Sequence, residues 1–142
     1  MIKIPLAVIP IDENGYHLMA RGNINGLTTN ILVDTGASRT VLDLRRTAHY
    51  FDDTPLRSFE KYFTGVGAEK METQAVIIPQ LNIGAFEVRG LEVLVIDLEG
   101  VNKSYAALDL PRIDMVMGGD LLVHCAGIID YPNKELIFRR AF

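Results

Sequence analysis

The stretch Ile31–Ser38 reads ILVDTGAS and decides the fold of this 142-residue chain. Its first three residues are large and apolar, so they predict a buried strand, and Asp34 follows directly. Gly36 lets the chain turn sharply, which brings backbone N–H groups close to the carboxylate. Thr35 adds a small hydroxyl that can donate a hydrogen bond. The pattern predicts an acid held rigidly in a partly desolvated site, although the same tripeptide also occurs in ordinary turns.

Turn signals on either side of this stretch predict short strands. Asn14-Gly15 and Asn25-Gly26 each separate two apolar runs, and Asn-Gly supplies the positive φ angles of tight hairpins. A further strand is expected at Thr40–Leu42. The polar segment 43–58 predicts a short helical turn and a surface loop.

The middle of the chain continues the same alternation of strands and turns. Strands are expected at Phe59–Thr64, Glu72–Ile78, Gln80–Ile83 and Phe86–Ile96. Gly84-Ala85 joins the last two strands, and Gly90 predicts a bulge or bend. Leu98–Arg112 is read as irregular, with a helical turn near residues 105–108.

The C-terminal part predicts one more buried strand, a short helix and a hairpin. The apolar run Ile113–Met117 passes into Gly118-Gly119-Asp120-Leu121-Leu122, where the acid and the apolar pair favour a helix. Pro132-Asn133 then separates two runs that predict a closing hairpin. No repeat, linker or low-complexity tract interrupts the sequence, so residues 1–142 are expected to form a single β domain.

Besides residues 31–38 and 113–122, the segment Tyr62–Ala68 stands out, because aromatic residues flank the Gly65-Val66-Gly67 tip. It fits a mobile hairpin that closes over a substrate, and equally a plain hairpin turn. It is not a nucleotide loop, because it lacks a third glycine in register and a following helix.

Asp34–Ala37, the glycine tip and Met117–Leu122, in this order and spacing, resemble the retropepsin-like aspartic proteases over most of the chain. The resemblance implies an all-β, closed barrel of short strands with a flap hairpin and one or two short helices. In that family the Met117–Leu122 element crosses beneath the catalytic loop. The closing hairpin is similar to bacterial and cellular single-domain members more than to viral ones.

The resemblance implies an aspartic endopeptidase in which two carboxylates share one proton. One activates a water, and the other polarises the scissile carbonyl. It assigns catalysis to Asp34, Thr35 and Gly36. It assigns substrate binding to residues of the loop and the flap, namely Ala37, Tyr62, Gly65, Val66 and Gly67.

One chain does not contain a second such acid. Asp53-Thr54-Pro55 has a proline that ruins the turn, and Asp120 follows the glycines instead of preceding one. An active protease therefore requires a homodimer that pairs two copies of Asp34. The resemblance implies that terminal strands near Met1–Leu6 and Leu136–Arg140 build the interface. The alternative is a non-catalytic or dormant peptide-binding or dimerisation module.

Two departures from the family pattern concern the loop's surroundings. Viral members often carry an acid at the position of Ser38 and an arginine at that of Gly119, and the two pair. Both partners are absent here, so no unpaired buried charge remains. In a homodimer, the resemblance further implies that Thr35 of each copy forms a hydrogen bond with the catalytic loop of the partner chain.

Composition excludes several other functions. The net charge of −4 and pI near 5.3 argue against a nucleic-acid partner, which needs a basic surface. No apolar run is long enough for a membrane span, and the N-terminus reads as a strand rather than a signal peptide. No metal-ligand motif or cofactor site is found among His17, His49 and His124. Cys125 is the single cysteine and is expected in the core. Because a single cysteine allows no intrachain disulfide, the sequence suits a reducing compartment, which favours a cytoplasmic location.

Overall fold

Strands dominate the computed structural model, which describes residues 1–52, 56–62 and 70–142. The strands are β1 (Ile2–Pro5), β2 (Ala7–Pro10), β3 (Tyr16–Ile24), β4 (Leu27–Val33), β5 (Val41–Asp43), β6 (Arg57–Tyr62), β7 (Lys70–Ile83), β8 (Phe86–Ile96), β9 (Met115–Met117), β10 (Gly127–Asp130) and β11 (Glu135–Phe138). The helices are α1 (Thr47–Tyr50), α2 (Glu99–Ala107) and α3 (Gly119–His124), with a 3-10 turn at Leu44–Arg46.

Asn-Gly turns shape the N-terminal meander, as predicted. Asn25 and Gly26 have φ angles of 51° and 83°, and they form the two-residue loop between β3 and β4. Two consecutive positive φ angles match the right-handed twist of the paired strands. The other Asn-Gly pair lies in a longer turn, in which the N–H of Ile11 donates to the carbonyl of Gly15 at 2.8 Å.

A closed barrel of six strands forms within the described residues, in the order β3-β4-β9-β5-β8-β7, because β7 pairs back onto β3. The closing contact joins Asn23 to Asn82 and Ile24 to Leu81. A Cβ on neighbouring Gly22 would lie 2.4 Å from the Asn82 carbonyl oxygen. Glycine therefore permits the close backbone approach that completes the barrel, and the predicted fold class is confirmed.

The hairpin of β7 and β8 turns at Gly84, whose φ is +60°. The sequence predicted two strands, Glu72–Ile78 and Gln80–Ile83, where β7 is continuous, so that division is wrong. Pro79 lies opposite Gly90 (φ +69°), and the register is the same on both sides of them. A proline in this position interrupts the hydrogen-bond ladder without ending the strand. The distortion predicted at Gly90 is a positive φ angle without an inserted residue, and so it is not a bulge.

The chain termini form a separate three-stranded sheet in the described residues, with the order β1-β11-β10. Phe138 pairs with both Ile2 and Gly127, so β11 lies in the middle. Its ring packs edge-on against Phe86 of β8, with centroids 4.7 Å apart. This contact attaches the terminal sheet to the barrel. Because β11 lies in the middle, β1 and β10 are the two edges of the terminal sheet.

Helix α2 is longer than the single turn predicted near residues 105–108. It begins at Glu99, whose N–H donates to the Asp97 carboxylate at 2.9 Å. Tyr105 anchors its other end and is 2% exposed. None of the helices in the described ranges is long and apolar enough to cross a membrane.

Candidate active site

Asp34 is the first residue after β4, whose last three residues are buried. Its N–H donates to the Met117 carbonyl at 3.0 Å, and its Oδ1 accepts the N–H of Gly36 at 2.9 Å. The strand and the turn therefore hold the acid in place. Asp34 is exposed in the single chain, whereas the sequence predicted partial desolvation. Any desolvation has to come from a partner chain or a substrate.

The loop after Asp34 closes on its own backbone. The N–H of Ala37 donates to the Asp34 carbonyl at 3.2 Å. A Cβ on Gly36 would lie 3.2 Å from Asp34 Oδ1, so any side chain there would press on the carboxylate. The sharp turn predicted at Gly36 is present, and it brings an N–H to the acid.

Two glycines pack directly beneath this loop. The N–H of Gly119 donates to the Ala37 carbonyl at 2.7 Å. A Cβ on Gly118 would lie 2.7 Å from the carbonyl oxygens of both Ala37 and Arg39. The segment after β9 therefore crosses under the loop at backbone contact distance, as the resemblance implied.

The strands on either side of the loop, β4 and β5, do not pair with each other, since β9 lies between them. β9 runs parallel to β4, with Val33 opposite Met117, and antiparallel to β5, with Val41 opposite Val116. The loop that carries Asp34 therefore spans the end of an inserted strand from much later in the chain.

A side-chain clamp joins the loop to α3. Asp120 accepts the N–H of Thr40 at 2.9 Å and its hydroxyl at 2.7 Å, and also the N–H of Leu121 at 2.9 Å. The Thr40 hydroxyl in turn accepts the N–H of Gly118 at 3.1 Å. In the sequence, Asp120 favoured a helix and was excluded as a second catalytic acid, and nothing local links it to Thr40. Its hydrogen bonds make it a structural acid.

The clamp also includes an ion pair, in which Arg39 Nε lies 3.6 Å from Asp120 Oδ2. Both side chains are about one quarter exposed. The charge therefore supplements the clamp more than it creates it, because partly exposed pairs are screened by solvent.

Two more acids tie the opposite ends of the same strands. Asp114 accepts from Arg46 Nε at 2.9 Å and from the N–H of Asn30 at 2.8 Å. Asp43 accepts from Arg112 Nη2 at 2.8 Å. The two acids are 4% and 0% exposed. A buried carboxylate needs such partners, so both acids stabilise β4, β5 and β9 at the end away from Asp34.

A cavity of about 360 Å³ opens beside Asp34. β3 contributes Tyr16 and His17 to its wall, β4 contributes Leu32, and Tyr131 comes from the turn after β10. The sequence did not single out these residues as a site, because strand register and the approach of the C-terminal hairpin bring them together. Concave, mixed polar and apolar walls beside an acid are typical of ligand sites.

The structure brings only some of the other predicted site residues to this cavity. Thr35 lines the cavity and is exposed, and Ala37 is half-buried. Within the described residues, no hydrogen bond involves the Thr35 hydroxyl. Tyr62 ends β6, with its backbone opposite Lys70. The remaining predicted substrate-binding residues lie outside the described ranges: Gly65, Val66 and Gly67.

Cys125 is a core residue, as predicted, with 0% exposure. Burial raises the pKa of its thiol, while the nearby Arg140 opposes this effect. A protonated, enclosed thiol is a poor nucleophile. Among the residues that the structure describes, no cluster of His, Cys, Asp and Glu could hold a metal ion.

Solved structures with a similar fold are retropepsin-like. The retroviral protease-like domain of Ddi1 from Leishmania major matches with a TM-score of 0.58 and 18% identity, over 86% of this chain and 87% of that one. A retropepsin-like aspartic protease from Rickettsia conorii matches with a TM-score of 0.56 and 22% identity, over 95% and 86%. EIAV protease complexed with the inhibitor HBY-793 matches with a TM-score of 0.50 and 20% identity, over 81% and 93%. At these identities the likeness concerns the fold.

Sequence comparison assigns the family. No curated protein matches the chain significantly. A sequence model of the aspartyl protease family matches residues 20–121, a span that runs from β3 through Asp34 into α3. Because this match covers more than half of the 142 residues, the chain belongs to the aspartyl protease family, and its fold is retropepsin-like.

Proposed function

We propose that residues 1–142 form one domain of a dimeric aspartic endopeptidase, in which each chain supplies Asp34. The observation that carries this proposal is the placement of Asp34. It is fixed by the turn at Gly36 and by β9, yet exposed beside a cavity in an aspartyl protease fold. A purely structural acid would be expected to have both oxygens engaged, as those of Asp120 are, whereas in the described residues only Oδ1 of Asp34 accepts a hydrogen bond.

The need for a second chain follows from the other acids. Asp34 is the only acid among the residues that line the cavity in the described structure. Asp120, Asp43 and Asp114 are engaged by Thr40 or by arginines. A two-fold axis would place two identical Asp34 loops together.

Surface features near the loop favour such an axis. Thr35 is exposed, and its hydroxyl has no partner in the described part of the chain. Among the residues that the structure describes, strand β10 pairs on one side only, and exposed Ile128 and Tyr131 lie in or beside it. An open edge with exposed apolar side chains is suited to pairing with another chain. We therefore assign the dimer contact to the loop and the terminal sheet.

The chemistry follows from two carboxylates at contact distance. Like charges about 3 Å apart cannot both ionise easily, so the pair holds one proton. The ionised Asp34 accepts a proton from a water that attacks the scissile carbonyl, and the protonated one donates to the carbonyl oxygen. When the tetrahedral intermediate collapses, the C–N bond breaks, one Asp34 donates its proton to the leaving amine nitrogen, and the other takes a proton from the diol, so the pair again holds one proton.

Asp34→Asn tests the assignment. This variant should lose peptide hydrolysis by at least about 1000-fold, because an amide cannot act as the base. Its far-UV circular dichroism and melting temperature should stay close to wild type. A statine-type peptide should inhibit the wild-type protein. Unchanged hydrolysis by Asp34→Asn would remove the catalytic role.

Mixing tests the dimer directly. If each site needs two copies of Asp34, an equal, re-equilibrated mixture of wild type and Asp34→Asn contains only about one quarter fully active dimers. Hydrolysis should then fall to about half that of the same amount of wild type alone. Activity that stays proportional to wild-type protein would contradict a shared site. Light scattering that gives a monomer at all concentrations would instead favour a dormant or binding module.

A further inference from the structure

His17 and Tyr105 form a contact between β3 and α2 in the wall of the cavity beside Asp34. His17 Nδ1 lies 2.6 Å from the Tyr105 hydroxyl, and the two rings stack at 18° with centroids 5.8 Å apart. Tyr105 is 2% exposed. Burial also raises the pKa of its phenol, so the hydroxyl stays protonated and remains a hydrogen-bond donor.

This contact fixes which nitrogen of His17 carries the proton. The Tyr105 hydroxyl has no hydrogen-bond partner other than His17 Nδ1 in the described residues. A buried phenol hydrogen without an acceptor is costly, so the phenol donates and Nδ1 accepts. A neutral imidazole that accepts at Nδ1 carries its proton at Nε2. That Nε2–H has no partner within the described parts of the chain.

The strand register places His17 level with the acid. Leu18 pairs with Val33 in the last paired position of β3 and β4. His17 and Asp34 are the next residues beyond that pair on its two sides, so both leave the ladder at the same end. His17 and Asp34 line the same cavity. A substrate side chain next to the reacting bond would therefore meet the imidazole.

The cavity walls select the kind of side chain. Leu18, Leu32 and Val101 supply apolar surface, and no lysine or arginine lines the cavity in the described structure. A carboxylate in this space would face the negative Asp34 without a cation to offset it. A neutral side-chain amide offers an acceptor oxygen without that repulsion.

We propose that His17 is a specificity-determining residue, whose Nε2–H donates to the side-chain carbonyl oxygen of an asparagine or glutamine in the substrate. Tyr105 is the positioning residue that holds the imidazole in this tautomer. The inference rests on the proposed peptidase function, which it extends to a substrate class. Helix α2 contributes to the site through Val101 and Tyr105, although it is distant in sequence from Asp34.

Paired peptides test this subsite. Asparagine and leucine have similar shapes, so a peptide series should compare them at each position around the cleaved bond. At one position, wild type should favour asparagine in kcat/KM. His17→Phe should reduce that preference by about 5- to 10-fold and still cleave the leucine peptide. Tyr105→Phe, which frees Nδ1, should give an intermediate preference.

His49→Phe is the matched control, because His49 is an exposed histidine that does not line this cavity. It should leave the preference unchanged. The inference is overturned if His17→Phe keeps the wild-type preference at every position, or if His49→Phe lowers it equally.

Binding separates this inference from the proposed function. Calorimetry should show that Asp34→Asn binds the asparagine peptide more tightly than the leucine peptide. Adding His17→Phe to this variant should reduce that binding preference by the same factor by which His17→Phe reduces the preference in cleavage. Peptide binding or cleavage with a preference that does not depend on His17 removes only the subsite. If wild type does not cleave these peptides and Asp34→Asn does not bind them, the proposed function and the subsite are both removed.

Discussion

Thr40→Val isolates the clamp beneath the Asp34 loop, because valine has nearly the same shape as threonine without the hydroxyl. The change removes the 2.7 Å bond to Asp120 Oδ1 and the acceptor for the Gly118 N–H at 3.1 Å. Thr40 is 0% exposed, so water does not replace either partner without rearrangement. The backbone N–H of Thr40 still donates to Asp120, so the clamp is weakened and not abolished.

The magnitude follows from those two losses. A hydrogen bond to a charged group contributes about 1.5–3 kcal/mol, and a buried unsatisfied donor costs about 1–3 kcal/mol. The two overlap because they share one hydroxyl, so the free energy of unfolding should fall by about 3 kcal/mol. For a chain of this size, that corresponds to a melting temperature lower by roughly 10 °C.

Urea unfolding followed by circular dichroism measures the change. Protein concentration has to be equal for all variants, because a dimer's stability depends on it. Thr28→Val is the matched control, since Thr28 lies exposed in β4 and should change stability by no more than about 0.5 kcal/mol. Thr40→Ser keeps the hydroxyl and should recover much of the loss. Equal stability of Thr40→Val and Thr28→Val would refute the reasoning.

Two further predictions concern buried contacts. Gly118→Ala should destabilise the fold by about 3 kcal/mol and reduce hydrolysis, because its Cβ would lie 2.7 Å from two backbone carbonyls. Gly100→Ala, whose Cβ meets nothing within 4 Å, should be as stable as wild type or up to about 1 kcal/mol more stable, since alanine favours helix α2. Equal unfolding curves for the two variants would contradict this. Cys125 should resist thiol reagents at neutral to mildly alkaline pH until urea unfolds the chain. Because burial raises the pKa of the thiol in the folded chain, the folded state holds this proton more tightly than the unfolded state. The resulting contribution to stability is present below the unfolded pKa and is lost as the pH rises through the folded pKa. Rapid labelling of the native protein would refute the burial.

Local sequence signals predicted much of the fold correctly. Asn25-Gly26 specified a hairpin because few other residue pairs adopt two positive φ angles without strain. The apolar run before Asp34 specified a buried strand, and Gly36 specified the turn. Each of these features depends on chain neighbours, so the order of residues is sufficient to identify it.

Long-range contacts explain the errors and omissions. The sequence predicted that one strand ends before Pro79 and another begins after it. In the structure, β8 pairs with residues of β7 before and after Pro79, so β7 is continuous. Gly22 carries no signal of its own, yet it allows β3 to approach β7 and close the barrel. The pairs Thr40–Asp120 and His17–Tyr105 lie 80 and 88 residues apart, so no local pattern could connect them.

The sequence by itself determined that Asp34 ends a buried strand, that a glycine turn follows it, and that one chain holds one such acid. Only the tertiary structure decided what surrounds that acid. The insertion of β9 between β4 and β5 brings Gly118 and Asp120 beneath the loop, and α2 brings Tyr105 to His17. Turns and strands follow from local backbone preferences, whereas the site depends on which distant elements pack together to bury the most apolar surface.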